Sequence, residues 1–220
     1  MNVSKRKVSA VVAGVASVAL AASIAMPARA AEPLKVGAIL PLTGGLAFLG
    51  DPMVAGFWAA VNEINANGGV LGSKIVVTGV KNEHDGSNLA ISTQSAKEQI
   101  AAGAQVILGS ASSSRTYNII KDITGAGIVQ ISPSNTDIGL SSYADNGYYF
   151  RTAPSDLLQG RVLGNKILSD GKRNVAIIYQ QSSYGKGLMG TAKDALVKGG
   201  AKVKTYAFTE NETNFTSTVN

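Results

Sequence analysis

Two hydroxyl-rich segments carry the chemistry in this sequence. The first, Gly109-Ser110-Ala111-Ser112-Ser113-Ser114-Arg115-Thr116, follows a short apolar run and leads into a helical pattern. The second, Ser132-Pro133-Ser134-Asn135-Thr136-Asp137, follows another such run. Hydroxyls beside the free backbone N–H groups of a helix start suit an anion, such as a carboxylate. The same residue types also cap helices and shape turns where no ligand is involved. What favours a site is the pair: open parallel sheets bind ligands beyond the carboxyl ends of their strands, and here two neighbouring strand ends carry hydroxyls.

Other chemistries find less support. The chain has no cysteine, which excludes a thiolate nucleophile, a disulfide scaffold and any Cys-ligated zinc or iron–sulfur centre. His84 is the only histidine and no Gly-x-Ser-x-Gly elbow surrounds a serine, so an α/β hydrolase is not supported. Glu83-His84-Asp85 offers three potential metal ligands, but adjacent residues in a loop rarely converge on one ion, and a solvated turn is expected. Gly185-Lys186-Gly187-Leu188-Met189-Gly190 has the spacing of a dinucleotide loop. Gln180 through Tyr184 separate it from the preceding strand, so a glycine-rich helix start is expected instead. No metal, cofactor or catalytic activity is expected. Among the tyrosines, Tyr184 sits in a strand-end loop where a ring could cover a ligand.

The elements that must position these residues alternate along the chain. An apolar run at 36–40 reads as a strand buried on both faces. A helix follows, with Asp51 as N-cap, Pro52 at its first position and Phe57, Val61 and Ile64 on one stripe. Strands are expected at 74–79, 106–108, 128–132, 148–152, 175–179 and 202–208. Helices are expected at 87–102, 115–124, 156–168 (capped by Asp156) and 187–198. Strands separated by single helices imply parallel βαβ units and a doubly wound α/β sheet. The stretch 213–220 reads as the first turn of a further helix, and a truncated chain is expected from it.

Hydrophobic content of 45% and charged content of 15% exclude wholesale disorder. The formal charge of +6 invites a nucleic-acid reading until its placement is considered. Lys5, Arg6 and Lys7 precede an uncharged stretch up to Met26, then Pro27 and Ala28-Arg29-Ala30: the layout of a secretory signal cleaved after Ala30. A retained transmembrane anchor is the rival reading. Removing 1–30 takes four positive charges and no negative ones, which leaves +2 and no basis for nucleic-acid binding.

The chain from Leu34 to Asn220 resembles the leucine/isoleucine/valine-binding proteins, the periplasmic solute-binding components of branched-chain amino acid ABC transporters. The resemblance is carried by 36–44 (Val36 to Gly44), 63–72 (Glu63 to Gly72), Gly109 to Ser114, Ile131 to Thr136, Phe150-Arg151-Thr152 and Ser183 to Gly187. It covers about the first half of a typical member. It implies a two-lobed type I periplasmic-binding architecture with a truncated second lobe: signal peptide 1–30, first lobe 31–152, partial second lobe 153–220. It also implies a monomer that binds a small amino acid or related carboxylate or amide and delivers it to a membrane permease. By the same resemblance Ser113 holds the ligand α-carboxylate, Ser134 and Thr136 hold the α-carboxylate and α-ammonium, and Tyr184 closes over the ligand. The family's pocket aromatic falls at Leu49. Its optional disulfide is missing, with His84 and Ser112 at or near those positions, and the acid that pairs the ammonium falls beyond Asn220. The alternative is an extracellular sensing domain of a signalling receptor, which a transmembrane helix further along would favour.

Overall fold

The computed structural model describes residues 31–83, 88–210 and 212–216. The expected signal segment 1–30, His84 and Asp85, and the end of the turn expected at 213–220 lie outside the described residues. The first part of the chain runs β1 (Lys35–Leu40), α1 (Gly50–Ala66), β2 (Val76–Asn82), α2 (Ala90–Ala101), β3 (Val106–Gly109), α3 (Ser113–Gly125), β4 (Val129–Ser132) and β5 (Tyr149–Arg151). These five strands form one parallel sheet in the spatial order β2–β1–β3–β4–β5. Then come α4 (Asp156–Ser169), β6 (Asn174–Gln180), α5 (Ser183–Lys198) and β7 (Lys202–Phe208), with β6 and β7 paired in parallel as a second sheet.

The period-2 geometry of a strand explains the core. Ala38 and Leu40 turn to one face of the sheet and pack with Phe57 and Val61 of α1. Ile39 turns to the other, against Ala96 of α2 and Ile119 and Ile123 of α3. All three β1 residues are fully buried, so the strand is apolar on both faces and reads as an unbroken run. Helices on both faces of a parallel sheet make the doubly wound α/β fold that the alternation predicts.

Several boundaries differ from expectation, each for a local reason. A 3-10 turn at Ala47–Leu49 feeds straight into α1, so Leu49 rather than Asp51 takes the cap position. Gly50 lies under the Pro41 carbonyl, where a Cβ would come within 2.3 Å, and this draws the helix start back toward β1. Ile64, the third member of the expected stripe, is exposed. β2 begins at Val76 because the Asn65 side chain holds both backbone groups of Ile75, accepting from its N–H at 2.6 Å and donating to its carbonyl at 3.3 Å. Asp156 does not cap α4: Ser155 does, its Oγ accepting from Leu157 N, while the Asp156 side chain is buried. α3 and α5 start earlier than expected, at Ser113 and Ser183, which places Tyr184 on the first turn of α5 rather than in a loop.

Candidate functional site

The carboxyl ends of β1, β3, β4, β6 and β7 converge on one cleft of about 500 Å³, a volume suited to a small molecule. Beyond β1 lies the turn with Gly45, Leu46, Phe48 and Leu49; beyond β3 lies Ala111 to Arg115; beyond β4 lie Ser134 and Thr136. From the second sheet come Gln180, Ser182 and Tyr184 after β6, and Glu210 after β7. β1 sits between β2 and β3 in the sheet, so the connections leaving β1 and β3 diverge there. Such a switch point is where an open α/β sheet leaves a crevice. All four residues singled out from the sequence, Ser113, Ser134, Thr136 and Tyr184, line this cleft. Leu49 lines it too, and with Leu46 and Phe48 it makes one end apolar.

A periplasmic binding protein family model matches residues 33–220. The chain belongs to the periplasmic binding protein family. It is similar to the leucine-specific-binding protein of Salmonella typhimurium, 31% identical over 217 residues that make up 98% of this chain and 56% of the relative. Among solved structures it resembles the branched-chain amino acid transporter substrate binding protein LivJ from Streptococcus pneumoniae in complex with isoleucine. That likeness has 26% identity and a TM-score of 0.71, covering 84% of this chain and 52% of the other. A solute binding protein of an ABC transporter from R. palustris, in complex with benzoate, shares the fold at 23% identity and a TM-score of 0.71, covering 84% and 51%. The chain spans about half the length of the relatives it matches.

In this periplasmic binding protein the two hydroxyl loops are joined by side chains bonded to backbone. Asn135 is fully buried and is the hub. Its Oδ1 accepts from Thr116 Oγ (2.6 Å) and Tyr149 OH (2.7 Å), and its Nδ2 donates to the Ala111 carbonyl at 2.7 Å. Ser132 Oγ donates to the Ser110 carbonyl at 2.7 Å and Gln130 Nε2 to the Gly109 carbonyl at 3.0 Å. Buried hydroxyl and amide groups bonded in this way fix the positions of the loops that carry them.

The same bonds set which groups face the cleft as donors and which as acceptors. Ser134 Oγ donates to the Ala111 carbonyl at 2.9 Å, and Thr136 Oγ donates to Asp156 Oδ2 at 3.0 Å. A hydroxyl has one hydrogen, so both residues are left with lone pairs to offer. Ser113 is the reverse: its Oγ accepts from Asp137 N at 3.4 Å, and its hydrogen remains to be donated. The buried Arg115, on the first turn of α3, reaches Glu210 Oε2 at 3.4 Å.

Buried acids support these loops from behind. Glu83 is fully buried; its carboxylate accepts from the backbone N–H groups of Ala111 (2.5 Å) and Ser112 (2.9 Å), the residues just before Ser113. Burial pushes its pKa up to about 7, against the lowering effect of those two bonds and of Arg115. Asp156 is also fully buried, and burial raises its pKa against the lowering effect of the Thr136 bond. Among the described residues no group of three His, Cys, Asp or Glu side chains is arranged to hold a metal ion. Gly185-Lys186-Gly187-Leu188-Met189-Gly190 lies inside α5, as a glycine-rich helix start.

Sequence reasoning overlooked Glu83 and Asp156 as parts of the site. Glu83 reads as part of a solvated turn and Asp156 as a helix cap, and neither has a local signal for its actual partner. The signal available for Glu83 was its place at the carboxyl end of a strand.

Proposed function

We propose that this chain is the solute-capturing part of an exported binding protein that serves an ABC-type uptake system. In this reading 31–152 is one lobe and 153–220 begins the other. The segment 1–30 directs export to the periplasm, and the loaded protein hands its solute to a membrane permease without chemical change. The observation that carries the reading is the meeting of Ser113, Ser134 and Thr136 from one sheet with Tyr184 from the other, across a cleft of small-molecule size.

The favoured ligand class is a neutral amino acid. Ser113, with the N-terminal N–H groups of α3, supplies donors for a carboxylate. Ser134 and Thr136 supply acceptors for an ammonium group, and Leu46, Phe48 and Leu49 supply apolar surface for a side chain. Closing the lobes brings the Tyr184 ring over the ligand and excludes water. Micromolar affinity requires about −8 kcal/mol, within reach of one enclosed zwitterion with several charge-assisted bonds. The relatives named for leucine and the isoleucine complex support this class.

Titration calorimetry of the full-length protein against neutral amino acids tests the reading. Ser113→Ala combined with Thr136→Ala is expected to weaken binding at least tenfold, since each bond to a charged group contributes about 1.5–3 kcal/mol. Unchanged affinity in that double variant would sink the assignment.

A further inference from the structure

We propose that Asp156 is a positioning residue that sets ligand specificity: it holds Thr136 as a hydrogen-bond acceptor and so selects ligands bearing an ammonium group over plain carboxylic acids. The inference rests on the cleft reading above and assigns a role to a residue that does not line the cleft.

Asp156 is the first residue of α4, yet its side chain turns inward and is fully buried. It is bound to Thr136 twice: Thr136 Oγ donates to Oδ2 at 3.0 Å, and Asp156 N donates to the Thr136 carbonyl at 2.8 Å. The other carboxylate oxygen, Oδ1, is buried and has no hydrogen-bond partner among the described residues. A buried acid left half-satisfied costs free energy that packing alone does not require.

An ionised carboxylate only accepts, so it forces the Thr136 hydrogen away from the cleft and the lone pairs toward it. The nearby charges are two carboxylates against one guanidinium. From the loop after β4, Asp137 adds a second buried carboxylate, whose Oδ1 is taken up by Tyr117 OH (2.6 Å) and Gly139 N (2.9 Å). From β5, Arg151 directs its guanidinium to the Asp137 carbonyl (2.7 Å) and Ser141 Oγ (2.5 Å). From α5 come only uncharged groups: Thr191 Oγ donates to the Asp156 carbonyl at 3.0 Å, and Gly187 lies against both acids. An ammonium group placed on Thr136 gains a bond and a favourable field. A carboxylate placed there meets lone pairs and like charge.

The test compares each amino acid with its deamino acid. Calorimetry on the full-length protein would use L-leucine, L-isoleucine, L-valine and L-phenylalanine with their deamino counterparts, 4-methylpentanoate for leucine. In Asp156→Ala, which removes the acceptor and frees the Thr136 hydroxyl to turn its hydrogen to the cleft, the preference for the tightest-bound amino acid over its deamino acid is expected to fall at least tenfold, with the deamino acid bound no more weakly than by wild type. Thr136→Val is expected to lose the same preference, and the double variant is expected to lose no more than Thr136→Val alone, because Asp156 acts through Thr136. A merely structural role would weaken both ligand types together and leave their ratio unchanged; that result, or additive losses in the double variant, overturns the proposal while leaving the function standing. A wild-type protein that binds none of the probes overturns both.

Discussion

Ser114, on the first turn of α3, accepts a 2.9 Å hydrogen bond through its Oγ from the backbone N–H of Ser183 at the start of α5. The two helices follow strands of different sheets, and both begin at the cleft. Each carries unpaired N–H groups and partial positive charge at that end, so bringing them together requires an acceptor between them. The Ser114 hydroxyl is that acceptor, and the Arg115–Glu210 pair lies beside it.

Ser114→Ala is therefore expected to loosen the cleft without emptying it. One neutral hydrogen bond contributes about 0.5–1.5 kcal/mol net, so affinity for the captured solute should fall by roughly 2- to 10-fold. The change should lie in the dissociation rate. Stopped-flow displacement measures it, and an unchanged release rate would count against a cross-cleft role for this bond.

Two glycines of α5 make a paired prediction. A Cβ on Gly185 would sit 2.1 Å from the Gln180 carbonyl oxygen, a backbone atom that cannot swing aside. Gly185→Ala must push the helix start, and Tyr184 with it, away from β6, at a cost of about 1–3 kcal/mol. A Cβ on Gly190 meets nothing within 4 Å, so Gly190→Ala is expected to stabilise by about 0.5–1 kcal/mol through helix propensity alone. Thermal denaturation of the two variants should move in opposite directions.

What the sequence disclosed depended on whether a residue's role was local. β1 was legible because a strand buried on both faces leaves an unbroken apolar run. The two hydroxyl-rich loops were legible because they follow such runs, while the choice of Ser113, Ser134 and Thr136 within them came from the family resemblance. The partner of Glu83 lies 28 residues away at Ala111, and that of Asp156 lies 20 residues away at Thr136. Pairings of that kind are made by the sheet order, and nothing beside either acid encodes them. Tyr184 lines the cleft but lies on a helix where a loop was expected, because α5 begins under a Ser182 cap that the glycines obscure.

Asn135 gives a stability prediction independent of any ligand. Asn135→Ala leaves Thr116 Oγ, Tyr149 OH and the Ala111 carbonyl without this partner in the interior. Thr116 Oγ keeps its contact with Ser110 and the Ala111 carbonyl keeps the Ser134 bond, so the loss is that of three hydrogen bonds at about 0.5–1.5 kcal/mol each, on the order of 3 kcal/mol. Urea denaturation measures it; a loss below about 1 kcal/mol would mean that the hub is dispensable.

Glu83 gives the stability a pH dependence. Its pKa is raised from 4.5 to about 7 in the folded chain, with burial the dominant cause. Between those values the folded state holds a proton that the unfolded chain has released, so stability falls as pH rises through this window. Above about pH 7 both states are ionised and the difference stays constant. A shift of that size corresponds to about 3 kcal/mol over the whole interval. Glu83→Gln cannot titrate. It places an amide N–H against one of the two backbone donors, which adds a penalty independent of pH. Comparing slopes removes that penalty: from pH 5 to pH 8 the stability of Glu83→Gln relative to wild type should shift in favour of the variant by about 2.5 kcal/mol. Urea denaturation of both proteins across this range measures the shift, and parallel curves would show that another group titrates. Because the carboxylate holds the two amides directly before Ser113, ligand affinity in wild type should also vary with pH across this window, and in Glu83→Gln that variation should disappear.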